Sequence, residues 1–278
     1  RMKEGMICAP DHLLNHICYE IGVKELIEEG HLCKLISKRG LNLDFSSCHI
    51  KAGEYVEAEV NAILLPVVSQ AIEELLKLSV GRKSILIFCQ GIDHAQAVQI
   101  GLEERTKEEV GLVTGMTLPG VRREILERFK QGKLKYVVNV NVLTTGFDAP
   151  NIDCVVLLRP TASPGLYYQM VGRAFRPDPS KENALVLDFG GNVERHGPVD
   201  AIEAKKNKGR GKGEPGEPMT KACPKCQLIQ AIAYLKCPEC AHEWPPRELK
   251  HETTATSANI LSEPERFTVN DVSYNVHR

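Results

Sequence analysis

The chain has 278 residues, 42% of them hydrophobic and 26% charged, and its 35 Lys and Arg nearly balance its 36 Asp and Glu. A net charge of −1 excludes a chain that is basic throughout, so any nucleic-acid contact must come from a local patch. The length suits one or two domains with a real core, and no apolar run approaches the roughly 18 residues that span a bilayer. Without a secretory leader at its start, the chain is expected to be cytoplasmic and away from membranes. It begins with Arg1 rather than Met, which reads as a piece of a longer chain.

Residues 1–10 read as irregular. Residues 11–29 hold helical stretches, with Leu14, Ile17, Cys18 and Ile21 followed by Val23, Leu26 and Ile27. Residues 32–47 suggest a strand leading into a loop. The span 57–78 predicts an amphipathic helix with a kink at Pro66. A regular alternation then begins. SILIFC at 84–89 is a short apolar run of the kind buried on both faces of a sheet. A helix is expected over 94–104, a short strand over 111–113, and a helix over 119–130 with Pro at its first turn. Strands follow at 136–140, 154–158 and 184–187, with a helix over 163–172 between the last two. Such alternation predicts an α/β fold with a parallel sheet. The pattern stops near Asp200, and KKNKGRGKG and EPGEP at 205–218 predict a linker.

Two stretches carry the chemistry. TTGFDAP at 144–150 follows the strand expected at 136–140. Gly146 permits close backbone approach, Thr144 and Thr145 offer hydroxyls, and Asp148 offers a carboxylate for a ribose hydroxyl or a neighbouring Arg. QMVGRAFR at 169–176 is expected on a helix, where Arg173 and Arg176 share one face at i,i+3. Two guanidiniums on one face can grip a polyphosphate. Taken singly, these stretches also fit a plain strand-to-helix loop and a solvated basic helix end. No G-x-x-x-x-G-K-[ST] phosphate loop accompanies them.

Together, SILIFCQ at 84–90, VTGMT at 113–117, VLTTGFDAP at 142–150 and YYQMVGRAFR at 167–176 resemble the second RecA-like domain of superfamily 2 helicases and translocases. The resemblance covers 84–188, and more loosely 11–200. It implies that Thr144 and Thr145, with Thr114 and Gly115, meet the nucleic-acid backbone. It implies that Gly146, Asp148, Gln169 and Gly172 meet the nucleotide. Arg173 and Arg176 would act as arginine fingers on its γ-phosphate. VLDFGGNVERHGPVD at 186–200, followed by four patterned cysteines, is most similar to bacterial RadD-like DNA-repair ATPases. The resemblance then implies DNA held through its backbone, ATP with Mg2+ as substrate of a longer protein, and a preceding RecA-like domain in cis. Single-stranded-DNA-binding or recombination proteins are implied as partners. Walker A and the DE-x-H box are absent, so this chain alone is expected to be inactive. A nucleic-acid-binding adaptor without ATPase activity, or an RNA helicase, is the alternative. The expected division is 1–204 for the RecA-like domain and its lead-in, 205–220 for the linker, 221–245 for a zinc module and 246–278 for a tail. That tail contains a strand-like run at 267–276.

Of the ten cysteines, Cys8, Cys18, Cys33, Cys48, Cys89 and Cys154 are scattered and expected as small buried hydrophobes in a reducing compartment. Cys223-Pro-Lys-Cys226 and Cys237-Pro-Glu-Cys240 predict a structural zinc held by four thiolates, with a hairpin in the ten residues between them. A disulfide pair, a redox C-x-x-C, or His242 as a competing ligand are the alternatives. Lys221, Lys225 and Lys236, with the lysines at 205–212, form a local basic patch that could meet DNA or be merely solvated. Trp244, the only Trp, could stack on a base or pack against the knuckle.

Overall fold

The computed structural model describes residues 18–19, 21–144, 146–199 and 220–245. The chain divides into two units, residues 1–244 and 245–278. The expected helical stretch over 11–17, nearly all of the linker and the strand-like run at 267–276 lie outside the described residues. In chain order the elements are α1 (Val23–Glu28), β1 (Leu35–Arg39), a small hairpin of β2 (Ile50–Lys51) and β3 (Glu54–Tyr55), α2 (Glu57–Leu64), α3 (Val68–Leu78), β4 (Ile85–Cys89) and α4 (Ile92–Thr106). Then come β5 (Val110–Val113), α5 (Pro119–Lys130), β6 (Tyr136–Asn139), β7 (Cys154–Leu158), α6 (Pro164–Val171), β8 (Ala184–Asp188), α7 (Asn192–His196), β9 (Thr220–Ala222) and β10 (Ile229–Ala231).

Six strands form one sheet in the order β1-β8-β7-β4-β6-β5, every pairing parallel. This is the parallel α/β sheet that the alternation predicts. Strands β4, β6, β7 and β8 are buried along their whole length, which is why their sequences run apolar instead of alternating with polar residues. Their side chains still alternate between two cores. Leu86, Phe88, Val137, Val155 and Leu157 point to one, covered by Phe129 of α5 and by Tyr167, Met170 and Val171 of α6. Ile85, Ile87, Val138, Val156 and Leu187 point to the other, under Ile72 and Leu75 of α3 and Val98 and Leu102 of α4.

The span 57–78 is two helices joined by a 3₁₀ turn over Leu65–Val67 that contains Pro66. Proline lacks the N–H for an α-helical bond, so the helix breaks where the sequence indicates. Cys33, Cys48, Cys89 and Cys154 are buried as expected, whereas Cys18 is exposed. It precedes the first described helix and belongs to none of the buried clusters.

The four-cysteine segment lies against the β1 edge of the sheet. Leu228 bridges Lys38 in antiparallel fashion, and the Arg39 N–H donates to the Gln227 carbonyl at 3.0 Å. Lys38, with its side chain only 16% exposed, pairs with Glu239 at 2.6 Å. Ile229 packs on the core cluster that contains Cys33 and Phe175. An open edge strand is a template for unwanted pairing. Here the cysteine segment covers part of it.

Candidate functional site

Because all six strands run parallel, their carboxyl ends lie together along one side of the sheet, where α/β folds bind ligands. Between β6 and β7 the chain forms no helix among its described residues. The loop instead crosses one face of the sheet from the carboxyl end of β6 to the amino end of β7. Leu143, Phe147, Ala149 and Ile152 anchor it by burial in the core cluster of that face. The side chain of Asn139 fixes its start, donating to the Ile87 carbonyl at 2.9 Å and accepting from the Leu143 N–H at 3.4 Å. Gly146 is exposed with φ +71°, a left-handed conformation that side chains disfavour. Thr144 is buried, Asp148 is exposed, and Thr145 lies outside the described residues.

Thr114 and Gly115 follow β5, next to this loop, with the Val140 N–H donating to the Val113 carbonyl at 3.1 Å. The Thr114 hydroxyl is buried and accepts from the Met116 N–H at 3.2 Å. Arg122 donates to the Thr114 and Thr117 carbonyls at 3.1 and 3.3 Å, locking the turn. Gly115 and Met116 are the parts of this turn that face solvent.

The second motif departs from expectation. Ser163 caps α6 by accepting from the Leu166 N–H, and the helix ends at Val171. Arg173 and Arg176 therefore lie in the turns after the helix, not on one of its faces. Gly172 makes the tight exit possible, since a Cβ there would sit 2.9 Å from the Tyr168 carbonyl oxygen. Both guanidiniums turn to the loop between β6 and β7. Arg176 pairs with Asp148 at 2.6 Å. Arg173 donates to the Phe147 carbonyl and, at 3.3 Å, to the Gln169 carbonyl. Burial lowers the pKa of Arg173; the Arg176 charge adds to that and Asp148 opposes it. Gln169 is exposed and Gly172 half-buried. Two cations and one carboxylate thus meet on an accessible surface, although Asp148 and Arg173 are 25 positions apart. Arg176 is 47% exposed, open enough for an incoming anion to compete with Asp148 for it.

The sequence reading missed two supports of this arrangement. Lys181, half-buried with its pKa lowered by that burial, donates to the carbonyls of Ile152 and Ala174 and so ties the end of the loop to the arginine turn. The Cys33 N–H donates to the Phe175 carbonyl at 2.7 Å, between the two arginines. Neither residue type signals such a role from a sequence.

At the carboxyl end of β4, His94 is buried and accepts from the Gln90 N–H at 3.5 Å. Burial holds its pKa at about 4 rather than 6.5. The unfolded chain therefore binds a proton that the native chain refuses as pH falls from 6.5 towards 4, and stability falls with it. Replacing His94 by Gln is expected to flatten the denaturant midpoint over that pH range. An unchanged slope refutes the assignment.

The four patterned cysteines converge, their Sγ atoms all within 4.8 Å of one another. Cys223 and Cys240 are 3.5 Å apart, and Cys226 and Cys237 3.6 Å. A zinc tetrahedron with bonds of about 2.3 Å has edges of about 3.8 Å, so the donor set suits that ion. No disulfide links them. The two knuckles repeat one backbone geometry. Gln227 and Ala241, each just past its second cysteine, are left-handed with φ of 61° and 57°. Their N–H groups return to the Cys223 and Cys237 carbonyls at 2.8 and 3.0 Å. The hairpin β9–β10 encloses the first knuckle, so only its second strand lies in the interval between the two, where a whole hairpin was expected. His242 is outside the cluster and meets the Trp244 ring edge-on at 5.0 Å, while Lys221 lies 4.0 Å over that ring.

Residues 68–178 match the family model of the helicase conserved C-terminal domain. Over 188 residues the chain is 29% identical to a Saccharomyces cerevisiae protein that bears the name ATP-dependent helicase IRC3, covering 64% of this chain and 27% of that one. It is 27% identical over 224 residues to a 51.5 kDa protein of a Lactococcus phage (isolate 7-9), covering 79% of this chain and 49% of the phage protein. It therefore spans about half the length of one relative and about a quarter of the other. A fragment of the HsdR subunit of a type I restriction enzyme from Vibrio vulnificus shares the fold, with a TM-score of 0.53, 19% identity, and coverage of 66% of this chain and 38% of that one.

Proposed function

We propose that this chain, which carries the second RecA-like domain of a superfamily 2 helicase, is the C-terminal motor half of a DNA-dependent ATPase acting in DNA repair in the bacterial cytoplasm. One observation carries the proposal: Arg173 and Arg176 are drawn onto the loop of Asp148, with Arg176 and Asp148 at 2.6 Å. In this reading a preceding RecA-like domain presents ATP and Mg2+ to that surface. An incoming γ-phosphate draws the guanidiniums from their protein acceptors and is stabilised as charge moves onto it. Just before Asp148 in the same loop Thr144 with Thr145, and after β5 the exposed Gly115 with Thr114, meet a nucleic-acid strand through their main chain, the Thr114 hydroxyl being buried and bonded to the Met116 N–H. Such contacts are independent of sequence, as stepping along any strand requires. The residues fit a polyphosphate in type and exposure. The chain's own part is to offer charge and to position it by the Phe147 and Ala174 carbonyl contacts.

The four thiolates are proposed to hold a structural zinc, since four protein ligands leave no open position for chemistry. DNA over RNA follows from the resemblance to RadD-like ATPases. Measuring ATP hydrolysis by the whole protein with single-stranded DNA, RNA and neither tests the reading. The expected result is stimulation by DNA. Stimulation by RNA alone makes it an RNA helicase. Strand binding without hydrolysis makes it an adaptor.

A further inference from the structure

Glu54 lies in the β2–β3 hairpin, far in sequence from both motifs, yet its carboxylate touches the supports of each. One oxygen accepts from the Thr161 hydroxyl at 2.6 Å and from the Ser163 N–H at 3.2 Å. Ser163 is the cap of α6, the helix that ends at the arginine turn. The other oxygen pairs with Arg159 at 3.4 Å. Arg159 follows β7 with its side chain only 5% exposed, and its other Nη donates to the side chain of Asn141. Asn141 opens the loop of Thr144 and Asp148 and is itself left-handed, at φ 55°. Asn enters that conformation more readily than other non-glycine residues, and here the Arg159 contact holds its side chain. The backbone behind Arg159 is equally fixed. Its carbonyl accepts from Asn192 at 2.9 Å, and a Cβ on Gly190 would lie 2.3 Å from it. Asn192 also accepts from the Thr161 N–H at 2.9 Å.

We infer that Glu54 and Arg159 are positioning residues that set the loop at 141–149 and the start of α6 relative to each other, so that the nucleic-acid contacts and the arginine turn keep one geometry. A buried guanidinium has fixed fork geometry, and this one spans the hairpin and the loop. The carboxylate spans the hairpin and the helix cap. Because the hairpin belongs to the lead-in before α2, a displacement of the lead-in reaches both motifs through one side chain. The inference rests on the proposed motor reading for its purpose, though not for its geometry.

Amide hydrogen exchange on the 278-residue chain tests the geometry, and binding of a fluorescent single-stranded DNA tests its use. Arg159→Lys keeps the charge and loses the fork. It is expected to speed exchange over 141–149 by about tenfold or more while Ser163 and Leu166 stay near wild type. Glu54→Ala is expected to speed both segments and to weaken DNA binding by about tenfold, and Glu54→Gln to restore much of the slowing at Ser163 and Leu166 alone. Global protection at Ile87, in the buried centre of β4, reports any general unfolding. Glu54→Ala with either segment within about twofold of wild type overturns the inference. A wild-type chain that binds no DNA overturns the motor reading instead, and the exchange result still decides the positioning.

Discussion

Arg173→Ala and Arg176→Ala will each lower ATP turnover by about 10³-fold or more in the protein that joins this domain to a phosphate-loop domain, with nucleotide affinity changed far less. The asymmetry follows from where an arginine finger acts. It meets charge that develops in the transition state, so its loss appears in kcat and spares ground-state binding. The native contacts predict how the two variants differ. Arg176 and Asp148 are 47% and 55% exposed, and an ion pair so open contributes about 1 kcal/mol or less. Arg176→Ala should therefore leave Tm nearly unchanged. Arg173 is more buried and holds the carbonyls of Phe147 and Gln169, so its alanine variant should also loosen the loop and lower Tm by a few degrees. Single-turnover hydrolysis beside equilibrium binding of a labelled ATP analogue separates the effects. Near-normal turnover in both variants sinks the finger assignment, and a parallel loss of binding and turnover reassigns the pair to ground-state grip.

The sheet was legible because burial on both faces writes itself as unbroken apolar runs. SILIFC and CVVLL could be little else, and the strands there match to within a residue or two. Pro66 and Pro119 were legible because a missing N–H has one consequence. The end of α6 was not. QMVGRAFR has the composition of a helix, and only the switch to i−3 bonding after Gly172, from the Arg173 and Ala174 N–H groups to the Met170 and Val171 carbonyls, shows that the helix ends before Arg173. The course of the loop after β6 was not legible for a related reason. A crossing segment anchored by Leu143, Phe147, Ala149 and Ile152 carries no period, so tertiary burial alone defines it. Glu54, Arg159 and Lys181 were invisible because a charged residue signals its partner only through the fold. The thiolate cluster was legible in its ligands and not in its seat: doubled C-x-x-C spacing fixes the tetrahedron, while nothing in it predicts pairing with Lys38 and Arg39.

That seat makes metal removal consequential beyond the cysteines. A segment of 26 residues from 220 to 245 has almost no core of its own; with the proposed zinc in place its order would rest on the four cysteines, since structural zinc in zinc-finger peptides contributes about 10–16 kcal/mol at neutral pH. Stripping the metal with a strong chelator, or replacing buried Cys237 by Ser, should unfold the segment while the sheet persists. Three contacts would then go together: the Arg39 N–H to Gln227, the Lys38 pair with Glu239, and the packing of Ile229 on the core. Amide exchange at Arg39 and Cys223 should accelerate by orders of magnitude, with little change at Ile87 in the centre of the sheet. Trp244 is the only tryptophan in the chain, so its fluorescence reports this segment alone; losing His242 at its edge and Lys221 over its ring should change both intensity and wavelength. The uncovered β1 edge should also raise aggregation, visible as light scattering that follows the fluorescence change. If chelation leaves Arg39 protected and Trp244 unchanged, the segment holds itself without metal. If Ile87 loses protection in step with Arg39, the cysteine segment is part of the global folding unit and not a separately fastened cover. A metal content near one zinc per chain, lost in step with the Arg39 protection, is the outcome that the paired knuckles lead us to expect.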